Sequence, residues 1–237
     1  MALKTLKEIY GSTNTNDFDK LLKDRVVVTE KISSASFHVQ RKPDGLKFFK
    51  SGSSVPMTII DRTLSSLYES AIKYFKSINT AFVIDMPTDW KFGFEYLPTL
   101  EFSHIKYDNI PTNTLILTHI HQVNEEGKVK KVLTDPVILE KWSNILGVQS
   151  PNVVFDGYLD FGQRSALKEL LRERLNKYAY ESTDKTSFTR AAYSIFDKNV
   201  YKTALNDSLD KEIDSLVLSF ADNNKVSTYK IEDPYRK

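Results

Sequence analysis

Arg25-Val26-Val27-Val28-Thr29-Glu30-Lys31-Ile32-Ser33-Ser34-Ala35-Ser36-Phe37 decides how this chain is read. Three consecutive valines are stiff at χ1 and fit a pleated, buried strand. That strand runs directly into Glu30 and Lys31, then into small hydroxyl residues. Lysine is ordinarily a solvated surface charge. At the end of an apolar strand it is partly withdrawn from water, which favours its uncharged, nucleophilic amine. The plain alternative is a strand-end lysine whose stem snorkels outward. The stretches downstream decide between them.

The bounds around that strand are ordinary. A chain of 237 residues, 41% hydrophobic and 27% charged, has the composition of a globular protein long enough to bury its own core. With 33 basic against 31 acidic residues, the net charge of +2 excludes a bulk electrostatic binder of nucleic acid, so any polyanion site must be a local patch. The chain has no cysteine, which removes disulfides and thiolate metal sites and fits a reducing, cytoplasmic setting. No apolar run is long enough to span a membrane, and the N-terminal MALKTLKEIYGS lacks the core of a secretory signal.

Moving outward, residues 3–10 and 16–24 read as two short helices, and the anchor strand covers 25–32. Pro43-Asp44-Gly45 between alternating runs predicts a hairpin from Ser36 to Lys50. Residues 58–77 have helical periodicity; 80–85, 90–96, 113–122 and 129–133 read as strands. Asp135-Pro136 is a cap followed by a first-turn proline, opening a helix to about Leu146. Residues 163–200 are mostly helical, and Ile213–Phe220 and Val226–Ile231 close the chain as two strands. Strands joined by hairpins and helices without a regular alternation predict an α+β fold, antiparallel sheets flanked by helices. Neither a dinucleotide-binding nor a P-loop glycine pattern is present.

Charged residues stand in four apolar strand contexts: Glu30-Lys31, Phe94-Glu95-Tyr96, Asp214 before Ser215-Leu216-Val217-Leu218, and Tyr229-Lys230-Ile231. Taken singly, Glu95 reads as a cross-strand ion-pair partner and Lys230 as a solvated end charge. His119 and His121 alternate on one strand face, as metal ligands would, but no third ligand is in reach by sequence.

Taken together and in order, these stretches resemble the covalent nucleotidyltransferase superfamily of polynucleotide ligases and mRNA-capping enzymes, most of all the adenylyltransferase domain of phage-type ATP-dependent RNA ligases. Glu30-Lys31-Ile32-Ser33-Ser34 stands where the family has its lysine signature, K-x-D/H-G, with Ser33 for the acid or histidine and Ser34 for glycine. Phe48-Phe49-Lys50-Ser51-Gly52-Ser53 is similar to the second signature, and Phe92-Gly93-Phe94-Glu95-Tyr96 to the third. Asp214-Ser215-Leu216-Val217 replaces E-G-x-V, and Tyr229-Lys230-Ile231-Glu232 resembles K-x-K with Glu232 for the second lysine. The resemblance spans about residues 25 to 232.

The resemblance implies a ligase-type, ATP-grasp-like catalytic domain covering residues 1–237, with a helical elaboration at about 135–200 and without the second domain that relatives append. It implies Lys31 as the nucleophile that forms lysyl-AMP, and Glu30, Lys50, Glu95 and Lys230 as nucleotide contacts. Asp214 would hold Mg²⁺, with Asp156 as a rival carboxylate. The substrates implied are ATP and RNA or DNA with a 5′-phosphate end. Three alternatives stay open: a relative that binds nucleotide without turnover, a GTP-dependent capping enzyme and a DNA ligase.

Overall fold

In the computed structural model the chain forms two compact units, residues 33–151 and residues 2–32 with 152–237. The structure describes residues 4–5, 15–50, 53, 55–57, 67–78, 84–103, 105–175, 187–196, 205–206, 214–222 and 225–232. Each unit is built on one five-stranded sheet. No described helix is long and apolar enough to cross a membrane.

The unit holding the anchor strand contains β1 (Lys4–Thr5), α1 (Thr15–Leu21), β2 (Arg25–Lys31), and, later in the chain, β8 (Val153–Tyr158), α4 (Phe161–Leu175), α5 (Ser187–Phe196), β9 (Ser215–Asp222) and β10 (Lys225–Glu232). Its strand order is β1-β10-β9-β2-β8, antiparallel except for the β1–β10 pair. Register fixes the faces. Val26 lies opposite Phe220, Val28 opposite Leu218 and Glu30 opposite Leu216, which faces Ile231 on β10. These apolar residues pack against Phe18 and Leu22 at the first helix, Leu167 and Leu171 on α4, and Ala192, Tyr193 and Phe196 on α5. Burying an aliphatic side chain is worth roughly 1.5–3 kcal/mol, so this helix-covered face carries much of the unit's stability.

The other unit contains β3 (Ala35–Lys42), β4 (Gly45–Lys50), α2 (Glu69–Ser77), β5 (Trp90–Tyr96), β6 (Leu115–Val123), β7 (Val129–Leu133) and α3 (Pro136–Leu146). All pairs in its β4-β3-β5-β6-β7 sheet are antiparallel. Phe37, Val39, Phe92, Phe94, Tyr96 and Leu117 turn to one face, under Phe75 of α2 and Leu139, Trp142 and Leu146 of α3. Phe37 is fully buried and stacks on Phe48 and Tyr68 at centroid separations of 5.9 and 5.4 Å. The predicted N-cap of α3 is present. Asp135 accepts from the amides of Val137 and Ile138 at 3.0 and 3.3 Å, and Gly147 ends the helix at φ 62°, where a Cβ is unfavourable.

Several expectations change. Residues 4–5 are a strand along β10, not part of a helix. Strand β8 was not foreseen; its Val153, Phe155 and Asp156 do not alternate as apolar and polar. The segment 135–200 is not one helical elaboration, since α3 packs in one unit and α4 and α5 in the other. Residues 84–85 are helical where a strand was expected, and the rest of 80–85 lies outside the described residues, as do 58–66 of the expected 58–77 helix.

Two substitutions test this packing. Phe37→Ala removes the ring at the centre of the aromatic cluster and is expected to cost about 3–5 kcal/mol by denaturant unfolding. Asp135→Ala leaves two amides of α3 without their acceptor and is expected to cost about 1 kcal/mol by the same measurement.

Candidate active site

The register of β2, β9 and β10 places the two family-implied lysines on one face. Lys31 lies opposite Ser215, while Thr29, Val217 and Lys230 form the adjoining row. Opposed residues of an antiparallel pair project to the same side, and side chains two apart do so as well. Lys31 and Lys230 therefore share the sheet face that the helices do not cover. Two inter-strand spacings, across β9, and two residues separate them, about 12 Å between Cα atoms at standard spacings. That is a span two extended lysine side chains bridge toward a common anion. Lys31 is half-buried and donates to the Ile32 carbonyl oxygen at 3.2 Å.

Asp214 immediately precedes β9, and the Ser215 hydroxyl donates to its Oδ2 at 3.3 Å. It thus borders the residue that pairs with Lys31. The rival carboxylate, Asp156, is committed elsewhere. Arg25 grips it with a two-pronged ion pair, Nε to Oδ1 at 2.9 Å and Nη2 to Oδ2 at 2.7 Å.

Glu30 is not brought to Lys31. Alternation turns it to the helix-covered face, where it is buried and accepts from Asn152 Nδ2 at 3.0 Å. Its own amide donates to the Asn152 carbonyl oxygen, so the pair fastens β2 to the segment leading into β8. Of the family-implied nucleotide contacts, Glu30 is thus on the opposite sheet face from Lys31.

Glu95 sits in the other unit, buried on β5. The residues opposite it are Ser36 and Ile116, so no directly opposed charge supports a cross-strand ion pair. The Ser34 hydroxyl donates to Glu95 Oε2, and the Ser33 amide donates to the Tyr107 hydroxyl at 2.7 Å. Of the two serines that depart from the lysine signature, Ser34 thus ties the loop to the strand bearing Glu95, and Ser33 ties it to Tyr107 beyond that strand. Lys50 ends β4 opposite Phe37, on the aromatic face, whereas Glu95 shares the opposite face with Ser36, His38 and Lys91. Lys50 and Glu95 are not brought together.

The face that carries Glu95 holds a lysine that sequence reading passed over. Lys91 donates to the Ser53 carbonyl oxygen at 2.9 Å and lies 3.8 Å from the Phe49 ring centroid. Burial, helped by the charge of Lys42, pushes it down to about 8. The only sequence signal was its alternation with Trp90 and Phe92, the pattern of any half-buried strand. His119 and His121 also acquire a third histidine, His38 on β3, which strand pairing supplies and sequence separation had hidden.

No family model and no curated protein matches this chain by sequence. Solved structures do match it. A Naegleria gruberi RNA ligase variant with ATP and Mn superposes with a TM-score of 0.57 at 11% identity, covering 98% of this chain and 54% of that one. The ligase with PPi gives 0.56 at 12%, covering 98% and 55%, and another variant with AMP and Mn gives 0.57 at 12% with the same coverage. The chain thus spans little more than half the length of the structures it matches. Two antiparallel sheets, the lysine-bearing β2 and the closing β9–β10 hairpin make this chain's fold that of the ligase-type nucleotidyltransferases.

Proposed function

We propose that this chain is an ATP-dependent, RNA ligase-like adenylyltransferase in which Lys31 carries AMP to a nucleic-acid 5′-phosphate. The observation that carries the reading is the shared sheet face of Lys31 and Lys230, in a fold whose solved relatives were captured with ATP, AMP and PPi.

The chemistry needs an uncharged amine facing an α-phosphorus. A cation near the phosphate favours the neutral form of the nucleophile and stabilises the charge that develops on phosphorus–oxygen bonds. Lys230 supplies that cation. The Lys31 Nζ lone pair forms a P–N bond as the bond from the α-phosphorus to the bridging oxygen breaks. Pyrophosphate leaves with that electron pair, and the amine proton passes to solvent. A 5′-phosphate oxygen then attacks the lysyl-AMP phosphorus, regenerating Lys31 and leaving an adenylylated end.

Asp214 and the Ser215 hydroxyl form a hard, all-oxygen donor set of the kind Mg²⁺ or Mn²⁺ takes alongside water and substrate phosphates. Such an ion, when bound, supplies charge neutralisation to the phosphates. Glu95 keeps the nucleotide-contact role that the resemblance implies.

One observation favours a second reading, a relative that binds nucleotide without turnover. Ser34 stands where the family has glycine, and its hydroxyl already occupies Glu95 Oε2.

Incubation with α-labelled ATP and a divalent cation, followed by denaturing electrophoresis, tests both. Label retained by the native sequence and lost in Lys31→Ala, with Lys230→Ala reduced about 100-fold or more, supports the enzyme. Label that comes only from GTP makes it a guanylyltransferase. No label on the native sequence, but label on Ser34→Gly, identifies the non-turnover relative. No label on either sinks the proposal.

A further inference from the structure

Three of the four histidines in the sequence meet on the polar face of the β3-β5-β6 sheet. His38 and His119 lie on either side of Gly93, directly opposite it in register, and His121 follows two residues along β6. Ligand nitrogens of all three lie within 4.8 Å of one another. The Nε2 atoms of His38 and His119 are 3.2 Å apart. Two imidazole nitrogens bound tetrahedrally at about 2.0–2.1 Å from one ion sit about 3.3–3.4 Å apart, so the spacing already matches.

The surroundings are arranged for this convergence. A Cβ on residue 93 would come within 2.3 Å of the His119 ring, so only glycine lets the rings meet across β5. Thr118 Oγ1 lies 2.9 Å from His119 Nδ1 and 3.3 Å from the Gly93 carbonyl oxygen. With Thr118 donating to that carbonyl, its oxygen accepts the Nδ1 proton of His119. The Nε2 lone pair is then left aimed at His38, the orientation a ligating histidine takes from its hydrogen-bonded neighbour. Among the described residues, His38 is buried and its Nδ1 has no hydrogen-bond partner.

We propose that His38, His119 and His121 form a three-histidine site for a divalent first-row transition metal of the zinc type, with its fourth position open to water or an anionic oxygen. Imidazole nitrogens select zinc, cobalt or nickel over Mg²⁺, which keeps oxygen ligands. The site is therefore chemically distinct from the carboxylate proposed for the nucleotide's cation. Lys91 is the charge that opposes a bound cation, and its amine is drawn to the Ser53 carbonyl oxygen and the Phe49 ring.

Metal-stripped full-length protein is titrated with Zn²⁺ by calorimetry, and with Co²⁺ by its visible absorption. The expected result is one tight equivalent of Zn²⁺ and the intense Co²⁺ bands of four-coordinate geometry. Loss of even a neighbour that orients a ligand costs 10–100-fold, so His121→Ala, with its far-UV dichroism unchanged, should bind more than about 100-fold more weakly. Gly93→Ala, which displaces His119, should also weaken binding; Lys31→Ala should bind as the native sequence does, so the outcome does not depend on nucleotide chemistry. The chain has no cysteine, so no thiolate can produce tight uptake in place of these histidines. Absence of stoichiometric Zn²⁺ uptake, or uptake that survives His121→Ala unchanged, overturns the proposal.

Discussion

Strand pairing around β2 is the constraint on which the rest depends. Because side chains alternate with a period of two, one register decides at a stroke what every residue of 25–31 faces. With Val26 and Val28 set against Phe220 and Leu218, Lys31 can only project to the side away from the helices, and Glu30 can only project toward them. A slip by one residue would bury Lys31 among Leu167, Leu171 and Phe196 and expose the valines. The apolar core therefore sets the side to which Lys31 points. The same register carries β10, so that Lys230 arrives on the same side through Val217 and Thr29.

The second sheet uses the same division of labour. Its aromatic face is anchored by Phe37, Phe92 and Phe94 beneath two helices, one of which contributes Phe75. Its other face is left to Glu95, Gln40, Lys91 and three histidines, groups that an apolar core would not tolerate. Gly93 belongs to both accounts. It continues β5 between two buried phenylalanines, and its missing side chain makes room for His119. The glycine of Phe92-Gly93-Phe94-Glu95 thus has a packing reason in this chain that is independent of any nucleotide.

What the sequence disclosed follows from how local each signal is. The valine run, the Pro-Asp-Gly turn and the Asp135-Pro136 cap are short-range features, and each appears where it was expected. Strand β8 escaped because Val153-Val154-Phe155-Asp156-Gly157-Tyr158 neither alternates nor ends in a turn signal. Its place beside β2 comes from a pairing across more than a hundred residues. The two-unit organisation was hidden for the same reason. The unit with β2 is closed by segments from both ends of the chain, and nothing near Ile32 or Pro151 marks a boundary in composition.

The site residues divide along that line. The family resemblance singles out Lys31, Glu95, Asp214 and Lys230 because each stands in a short motif. His38 was not legible, since it stands eighty-one residues before His119 and only the β3–β5–β6 pairing makes them neighbours. Glu30 shows the opposite failure. Adjacency in sequence suggested a shared site with Lys31, and adjacency on a strand is what forbids it. Within a strand, nearness of one residue means opposite faces, and nearness of two means company. The serines of the departed motif fit the same logic at shorter range. Ser33 donates through its backbone, which a different side chain would preserve, whereas Ser34 donates through its hydroxyl, which glycine would not. The Ser34 substitution is therefore the departure with a chemical consequence. It places on the Glu95 carboxylate a hydrogen bond that glycine at this position would not supply.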